Sequence, residues 1–585
     1  MTGKVTASES LEPEARKAAL LNAIKHEGKA DAGAVIGRLL GAHPELRQKA
    51  AEVRVFVTKV IDQVNAMSLT DQEKVVQDSW SEERVKEKPK AERGLPPLPN
   101  VDKYSKIVTR FSPNPDSVLH LGNARAVILS HDYARKYNGA FILRFEDTDP
   151  RLKKAALQYY GLIREDLKWL ECTWDEEYFQ SDRLELYYRY ADELIQKGGA
   201  YVCECAPETF KQLVEAGRAC PCRSLSPDEN LTRWKRMLDG EYQEGEAVLR
   251  VKTDLGHPNP AVRDWPALRV IDAAKYPHAR VGTKYRVWPL YNMACGVDDH
   301  LMAISHVIRG KEHLTNMERQ KYLYKHLGWQ YPDAIHYGRL HVVGMDLSKS
   351  KMMRALEEGV YTDLSDPRLG TLMALRRRGI TPQALRGVVY EVGPRPVDAT
   401  ISWENVYAAN RKIIDSIARR FFFIAKPLAV SVSGVKNSRT VKLPAHPEHP
   451  EMGMREIAVA ARDGICHLLV SRADLGILKQ EVIVRLMELF NVKVSQADSD
   501  VVVAELHSET YAEARKVNAP LIHWLPEHGN CKSVVVMPTA ERIEGLGETG
   551  LASCQVGEVI QLVRFGFGRV DATGQDSVVV YFAHQ

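Results

Sequence analysis

Between Thr109 and Ala126 the chain reads TRFSPNPDSVLHLGNARA, a stretch whose prolines and apolar spacing fix the order of its local elements. Ile107, Val108 and Phe111 are strand-type residues. The prolines of SPNPDS remove backbone donors and block both helix and sheet, and HLGNARAVILSHDYARKY then continues at helical period. The expected unit is a strand, a turn and a helix start. Amides at a helix N-terminus favour anions, Gly122 allows close backbone approach, and His120 and Asn123 offer side-chain donors from the same turn. Most units of this kind are structural, so the stretch by itself leaves a phosphate site and a plain turn both open.

The 585 residues predict several domains. With 44% hydrophobic and 27% charged residues and a net charge of +4, the composition is that of a globular chain whose nucleic-acid contacts, if any, come from local basic faces. No apolar run reaches membrane-spanning length, and the N-terminus lacks the basic and apolar regions of a signal peptide. The expected location is the cytoplasm, without membrane contact. Nine cysteines argue against a disulfide framework in a reducing compartment and make any tight cluster a metal candidate.

Residues 1–78, rich in Ala, Glu, Lys and Leu, predict a small helical appendage for packing or docking, and 79–100 a charged, proline-rich linker. Residues 101–200 alternate strand and helix patterns, which indicates a parallel sheet wound with helices. GAFILRF is a strand and RLKKAALQYYGLIREDLKWL a helix. Glu146 and Asp147, just after ILRF, stand where such sheets bind ligands, although spacing alone favours a solvated acidic turn.

Cys203, Cys205, Cys220 and Cys222 form two C-x-C pairs with fourteen residues between them. They can supply four thiolates for a structural zinc with no open coordination position, or they are ordinary turn cysteines. Residues 201–284 then read as an insertion, and the wound pattern returns over 285–355. There a helix from about Leu290 presents Tyr291 and Cys295 on one side, and Arg309 ends the strand ISHVIRG. Lys349 lies in a Ser-Lys-Ser string before another helix. An arginine at a strand end is either a surface ion pair or a bidentate carboxylate clamp.

Together these strings resemble the class I aminoacyl-tRNA synthetases and, among them, the archaeal-type glutamyl-tRNA synthetases. HLGN at His120–Asn123 resembles the family's HIGH signature and LSKS at Leu347–Ser350 its KMSKS signature. TRFSPNP, RFEDTDPR, LYNMACGVDDH and VIRGKEH are similar to further family motifs. The chain departs from the pattern at Asp346, where the first lysine of KMSKS would stand, and at Ser117, where the family has glycine.

The resemblance implies a Rossmann-type catalytic domain with an acceptor-binding insertion. It implies activation of L-glutamate by ATP and Mg²⁺, and transfer of the glutamyl group to the 3′ end of tRNA(Glu), with tRNA(Gln) as a second acceptor left open; the family expectation is a monomer. His120, Asn123 and Lys349 would be catalytic. Pro113, Asn114, Gly122, Ser348 and Ser350 would join them in binding ATP. Arg110, Ser112, Glu146, Tyr291, Cys295 and Arg309 would hold glutamate. Rivals are a glutaminyl-tRNA synthetase, a tRNA-modifying paralogue and a non-catalytic tRNA-binding paralogue. An arginine aimed at the substrate side chain and the EDTD string disfavour the first, the long C-terminal half the second, and the intact signature residues the third.

Residues 356–424 read as a helical connecting domain, in which both LGTLMALRRRG and SWENVYAANRKIIDSIARRFFFI are helical. Arg376–Arg378 and Arg419–Arg420 are either a solvated face or, as family position favours, a tRNA-facing surface. Residues 425–585 break into short β-rich runs. They resemble the paired β-barrels with which archaeal glutamyl and all glutaminyl enzymes bind the anticodon.

Overall fold

The computed structural model describes residues 7–25, 28–33, 35, 36, 39, 43, 50–79, 94–342 and 349–585, with the side chains of Lys349 and Ser350 outside that description. The chain divides into two compact units, Met1–Gly94 and Leu95–Gln585. The first contains helices α1 (Ala7–Lys25), α2 (Ala50–Asn65) and α3 (Leu69–Ser79) around buried Ala19, Leu20, Val57, Ile61 and Val64. Buried Gln72 donates from Nε2 to the Gly28 and Val64 carbonyls and so ties two segments of that core together.

The second unit begins with the predicted alternation. Strand β1 (Val108–Phe111) leads through the proline turn into α4 (Leu121–Lys136), followed by β2 (Ala140–Phe145), α5 (Leu157–Trp169), β3 (Glu176–Phe179) and α6 (Leu184–Gln196). β1 pairs with β2 in parallel, with Arg110 opposite Ile142, and β2 with β3. Helix α5 starts later than its sequence suggests: residues 151–156 are turn and extended chain, since EDTDPR ends β2 with a proline and carboxylate-bonded turns.

The insertion has its own antiparallel sheet, in the order β4 (Ala200–Cys203), β5 (Val248–Val251), β6 (Pro266–Val270) and β7 (Val287–Pro289). Helices α7 (Pro207–Glu215) and α8 (Pro227–Leu238) lie between its first two strands in sequence. Ser226 and Glu229 form a capping box that starts α8. The wound pattern then resumes with α9 (Tyr291–Leu301), β8 (His306–Gly310), α10 (Leu314–Leu327) and β9 (Asp333–Tyr337), and β8 and β9 are parallel. Ser305 N donates to the Val108 carbonyl at 3.0 Å and Ser305 Oγ accepts Val108 N–H at 2.8 Å, which brings the start of β8 against β1.

After β10 (Leu340–Val342) and α11 (Lys349–Glu357) come α12 (Leu372–Arg378), α13 (Pro382–Val392), β11 (Ala399–Ile401) and α14 (Trp403–Ile414). Leu372, Leu375, Leu385 and Val406 share a core with Ile128, Phe141 and Leu143 of the wound sheet, so these helices are built onto the catalytic layer. Helix ends at Ile414. The segment ARRFFFI is not helical but forms β12 (Arg419–Phe421) and β13 (Phe423–Ala425), whose phenylalanines are buried in barrel cores. β12 and β13 are the two end strands of one seven-stranded sheet. Only Phe422 separates them, so the sheet's ends must meet and the sheet curls towards a barrel. An eight-stranded sheet packs a second core, and the short helix Tyr511–Lys516 is the departure from an all-β region.

Of the clustered arginines of this region, Arg377, Arg378 and Arg419 hold protein. Arg378 is buried and donates to the Phe582 and Ala583 carbonyls and to the Tyr407 hydroxyl. Arg377 grips Asp571 with two bonds of 2.8 and 2.7 Å, and Arg419 grips Glu558 at 2.7 and 2.9 Å. Among the described residues no helix is long and apolar enough to cross a membrane.

Candidate active site

At the start of α4, His120 is the N-cap. Its Nδ1 accepts the Gly122 amide at 3.0 Å, and Asn123 Oδ1 accepts the His120 amide at 3.1 Å. The Leu121 amide goes to the Gly370 carbonyl, and those of Asn123 and Ala124 to His120 O. The first turn therefore does not offer the open amides expected from its sequence. What it presents is side chains: with Nδ1 accepting, a neutral His120 ring carries its proton on Nε2, and the Asn123 amide is oriented through its oxygen. Leu119 O also accepts Leu372 N–H, so the turn is bonded on both sides to the N-cap segment of α12.

The carboxyl ends of β1, β2 and β8 carry the second half of the site. Arg110 Nε lies 3.1 Å from Asp299 Oδ1, and Arg144 Nη1 lies 2.8 Å from the same oxygen. Arg144 Nη2 also reaches Glu146 at 3.3 Å and the Cys295 sulfur at 3.3 Å. Asp298 accepts from Arg183 at 2.8 Å, Gln180 at 3.0 Å and Tyr187 at 2.7 Å. Burial alone would raise Asp299, but Arg110 and Arg144 outweigh it and hold the carboxyl at about 2. Burial raises the Glu146 carboxyl against the pull of the same two arginines, and burial with the Asp299 charge pushes the Cys295 thiol up to about 11.

Arg309 differs from its neighbours. It is 5% exposed, and its guanidinium donates to Tyr291 at 3.2 Å, Gln320 at 3.1 Å, Tyr331 at 3.0 Å and His336 at 3.4 Å. All four acceptors are neutral. Among the described residues no carboxylate lies within 4 Å of it, so it is a buried cation without a counter-ion. Burial, with Arg309 next, lowers His313 to about 3 and His336 to about 4.

A cavity of about 620 Å³ joins the two halves, lined by Arg110, Asn123, Glu146, Tyr291 and Arg309 among others. Ser112 Oγ, Asn114 Oδ1 and Asn292 Oδ1 line it and are buried without a hydrogen-bond partner, the state of polar atoms that await a ligand. Pro113 lies in the same wall. Ser117 is also buried with an unpartnered Oγ, yet its φ is not positive, so the backbone does not require glycine there. Ser348, with the rest of 343–348, lies outside the described residues, as do the Lys349 and Ser350 side chains. Helix α11 does begin at Lys349.

The four insertion cysteines converge. All four sulfurs lie within 4.8 Å of one another, with Cys203 to Cys220 at 3.9 Å and Cys205 to Cys222 at 3.8 Å. A zinc–sulfur bond of about 2.3 Å in a tetrahedron puts sulfurs about 3.8 Å apart, so the set fits zinc in number and spacing. Arg233 donates to the Cys222 sulfur at 3.5 Å and could offset thiolate charge.

Sequence reasoning missed Arg144, Asp298, Asp299, Gln320 and Tyr331. Arg144 lies within the apolar strand run GAFILRF, whose local pattern gives no sign of a buried charge cluster. Asp298 and Asp299 follow Tyr291 and Cys295 on α9, and Asp299, at i+4 from Cys295, was legible as sharing its face.

The domain model "tRNA synthetases class I (E and Q), catalytic domain" matches residues 106–416, and the anti-codon binding domain of the same group matches 418–510. The chain therefore belongs to the class I aminoacyl-tRNA synthetases of the glutamate and glutamine group. Among its relatives, the glutamate–tRNA ligase of Pyrococcus furiosus is 48% identical over 581 residues, which is 98% of this chain and 100% of that one. The glutamate–tRNA ligase of Pyrococcus abyssi is 49% identical over 576 residues, 98% and 99% of the two chains. That of Methanothermobacter thermautotrophicus is 45% identical over 567 residues, 97% and 98%.

Proposed function

We propose that the chain is a glutamate–tRNA ligase, which joins glutamate to ATP as glutamyl-adenylate and passes the glutamyl group to the 3′ end of tRNA(Glu). The charge of the pocket carries this reading over a glutaminyl one. Along the cavity wall Arg110, Lys153, Arg309 and Arg319 stand against Glu146 and Glu312, and behind it Arg144 and Arg183 balance Asp298 and Asp299. Glutamate brings two carboxylates and one ammonium, and so offsets part of the excess positive charge. Glutamine has no net charge and would leave it buried.

In this reading Arg309, whose Nη1 keeps one N–H beyond its bonds to Tyr291, Gln320, Tyr331 and His336, takes the side-chain carboxylate, and Arg110, held on its other edge by Asp299, takes the α-carboxylate. Glu146 receives the ammonium group, while Tyr291, Cys295 and Ser112 shape the pocket. The α-carboxylate of glutamate attacks the α-phosphorus of ATP, a bond forms from carboxylate oxygen to phosphorus, and pyrophosphate leaves. His120 Nε2–H and the Asn123 amide would meet the phosphates together with Lys349 and Mg²⁺, which stabilise developing charge rather than move protons. Pro113, Asn114, Gly122, Ser348 and Ser350 would complete the nucleotide site. A ribose hydroxyl of the terminal tRNA nucleotide then attacks the glutamyl carbonyl, and AMP leaves.

The test is to incubate the purified protein with ATP, labelled glutamate or glutamine, and tRNA(Glu) or tRNA(Gln). Charging of tRNA(Glu) with glutamate is expected, and charging with glutamine alone sinks the reading; the tRNA(Gln) arm tells whether that tRNA is also an acceptor. The cysteine set supports a structural zinc, expected at about one zinc per chain by metal analysis; absence of metal from protein purified without chelator would return the cysteines to ordinary thiols.

A further inference from the structure

Beside the mouth of the cavity, two loops far apart in sequence are bonded into one surface. The first, residues 151–156, follows β2; the second, residues 272–283, joins β6 to β7 of the insertion. Arg151 pairs with Glu244, whose other oxygen accepts the Asp272 amide at 3.0 Å. Arg269 reaches Asp149 at 2.9 Å, His278 Nε2 lies 2.8 Å from the Asp147 carbonyl, and Arg280 lies 2.6 Å from Asp182. These links engage Asp147, Asp149, Asp182 and Glu244 and fix the relative position of the two loops, while the Asp272 carboxylate turns inward to its own loop and accepts the Ala274 and Lys275 amides.

On this surface Lys154 Nζ and Lys275 Nζ stand over the ring of half-buried Tyr276, at 5.6 and 5.3 Å from its centre. Among the described residues neither lysine has a carboxylate within 4 Å. Lys153, next to Lys154, lines both the main cavity and a smaller one of about 200 Å³ that Arg269 and Tyr291 also line. Leu152 is 68% exposed on the same loop. An aromatic ring carrying uncompensated cations at a cavity mouth matches what an unpaired nucleic-acid strand needs: a face for a base and ammonium groups for the flanking phosphates. The ammonium groups over the ring in the free protein are those that phosphates would draw aside.

We propose that Tyr276, with Lys154 and Lys275, forms a ledge on which the unpaired 3′ strand of the tRNA stacks as it enters the cavity. This rests on the tRNA-charging reading and assigns it a tRNA-positioning residue from the insertion. The test measures binding of the full-length protein to intact tRNA(Glu) and to the same tRNA shortened by its four unpaired 3′ nucleotides. Tyr276→Ala should bind the intact tRNA about tenfold more weakly, the loss of one base stack, and Tyr276→Phe should bind like wild type. Both should bind the shortened tRNA as wild type does. Replacing Lys154 and Lys275 by Gln should lower the salt dependence of binding to intact tRNA only. Unchanged binding of intact tRNA by Tyr276→Ala overturns the proposal, and so does an equal loss on both tRNAs, which would mean that the ring supports the fold or the duplex. A wild-type protein that charges no tRNA overturns the underlying reading before any variant is made.

Discussion

Arg110 and Asp299 form a buried pair, 3.1 Å from Nε to Oδ1, between the end of the first sheet strand and the helix that carries Tyr291. Asp299 serves Arg144 at the same time, so one carboxylate sets the direction of two guanidinium groups around the cavity.

Asp299→Asn removes the charge that holds both arginines. Breaking a buried pair leaves uncompensated cations, so the variant should lose about 3 kcal/mol of stability. Chemical denaturation reads that loss, and steady-state charging should show a raised KM for glutamate as Arg110 loses its fixed direction.

Arg309→Gln separates function from stability. The substitution deletes a buried cation that has no carboxylate within 4 Å among the described residues; the relief of its burial offsets the bonds lost by Tyr291, Gln320, Tyr331 and His336, and Gln can keep part of them, so the melting temperature should change little. The same change should lower kcat/KM for glutamate by two to three orders of magnitude, about 3–4 kcal/mol of lost transition-state stabilisation. A variant that keeps its kcat/KM would show that Arg309 does not hold the substrate.

His313 and His336 predict an acid-sensitive fold. Their folded-state values, about 3 and about 4, lie below the ordinary 6.5 because burial and Arg309 oppose the charged ring. Between those values and 6.5 the unfolded chain binds protons that the folded protein refuses. The contribution is thus fully present above about pH 6.5 and is lost as pH falls, by up to about 1.4 kcal/mol per pH unit for each ring. Denaturation midpoints measured from pH 7 to 4.5 should fall, and His313→Gln should flatten the slope.

Arg378→Met tests whether the arginine cluster of α12 binds tRNA or holds the fold. Two main-chain carbonyls near the C-terminus and the Tyr407 hydroxyl lose their donor, at a cost of about 2–4 kcal/mol in stability. The slope of log tRNA affinity against log salt should not change; a slope reduced by about one would show a phosphate contact instead.

Local pattern carried a large part of the fold. The proline-bounded strand and helix at Thr109–Ala126, the alternation of the wound sheet, the insertion and the β-rich C-terminal half all follow from periodicity and turn residues, which act over a few neighbours. ARRFFFI misled because helical spacing runs up to it from α14. Its phenylalanines are buried by strands more than a hundred residues later, an effect no local window contains.

The sequence by itself determined the strand–turn–helix unit, the four cysteines and the residue types of the pocket: arginines at strand ends, a glutamate after β2, a tyrosine on a helix. Tertiary structure decided which charges compensate one another. It paired Arg110 and Arg144 with Asp299, left Arg309 among neutral acceptors, and turned Arg377 and Arg378 of α12 into clamps on the C-terminal strands. Coulomb and desolvation energies depend on distances between residues far apart in the chain and on their removal from water, and folding alone sets both.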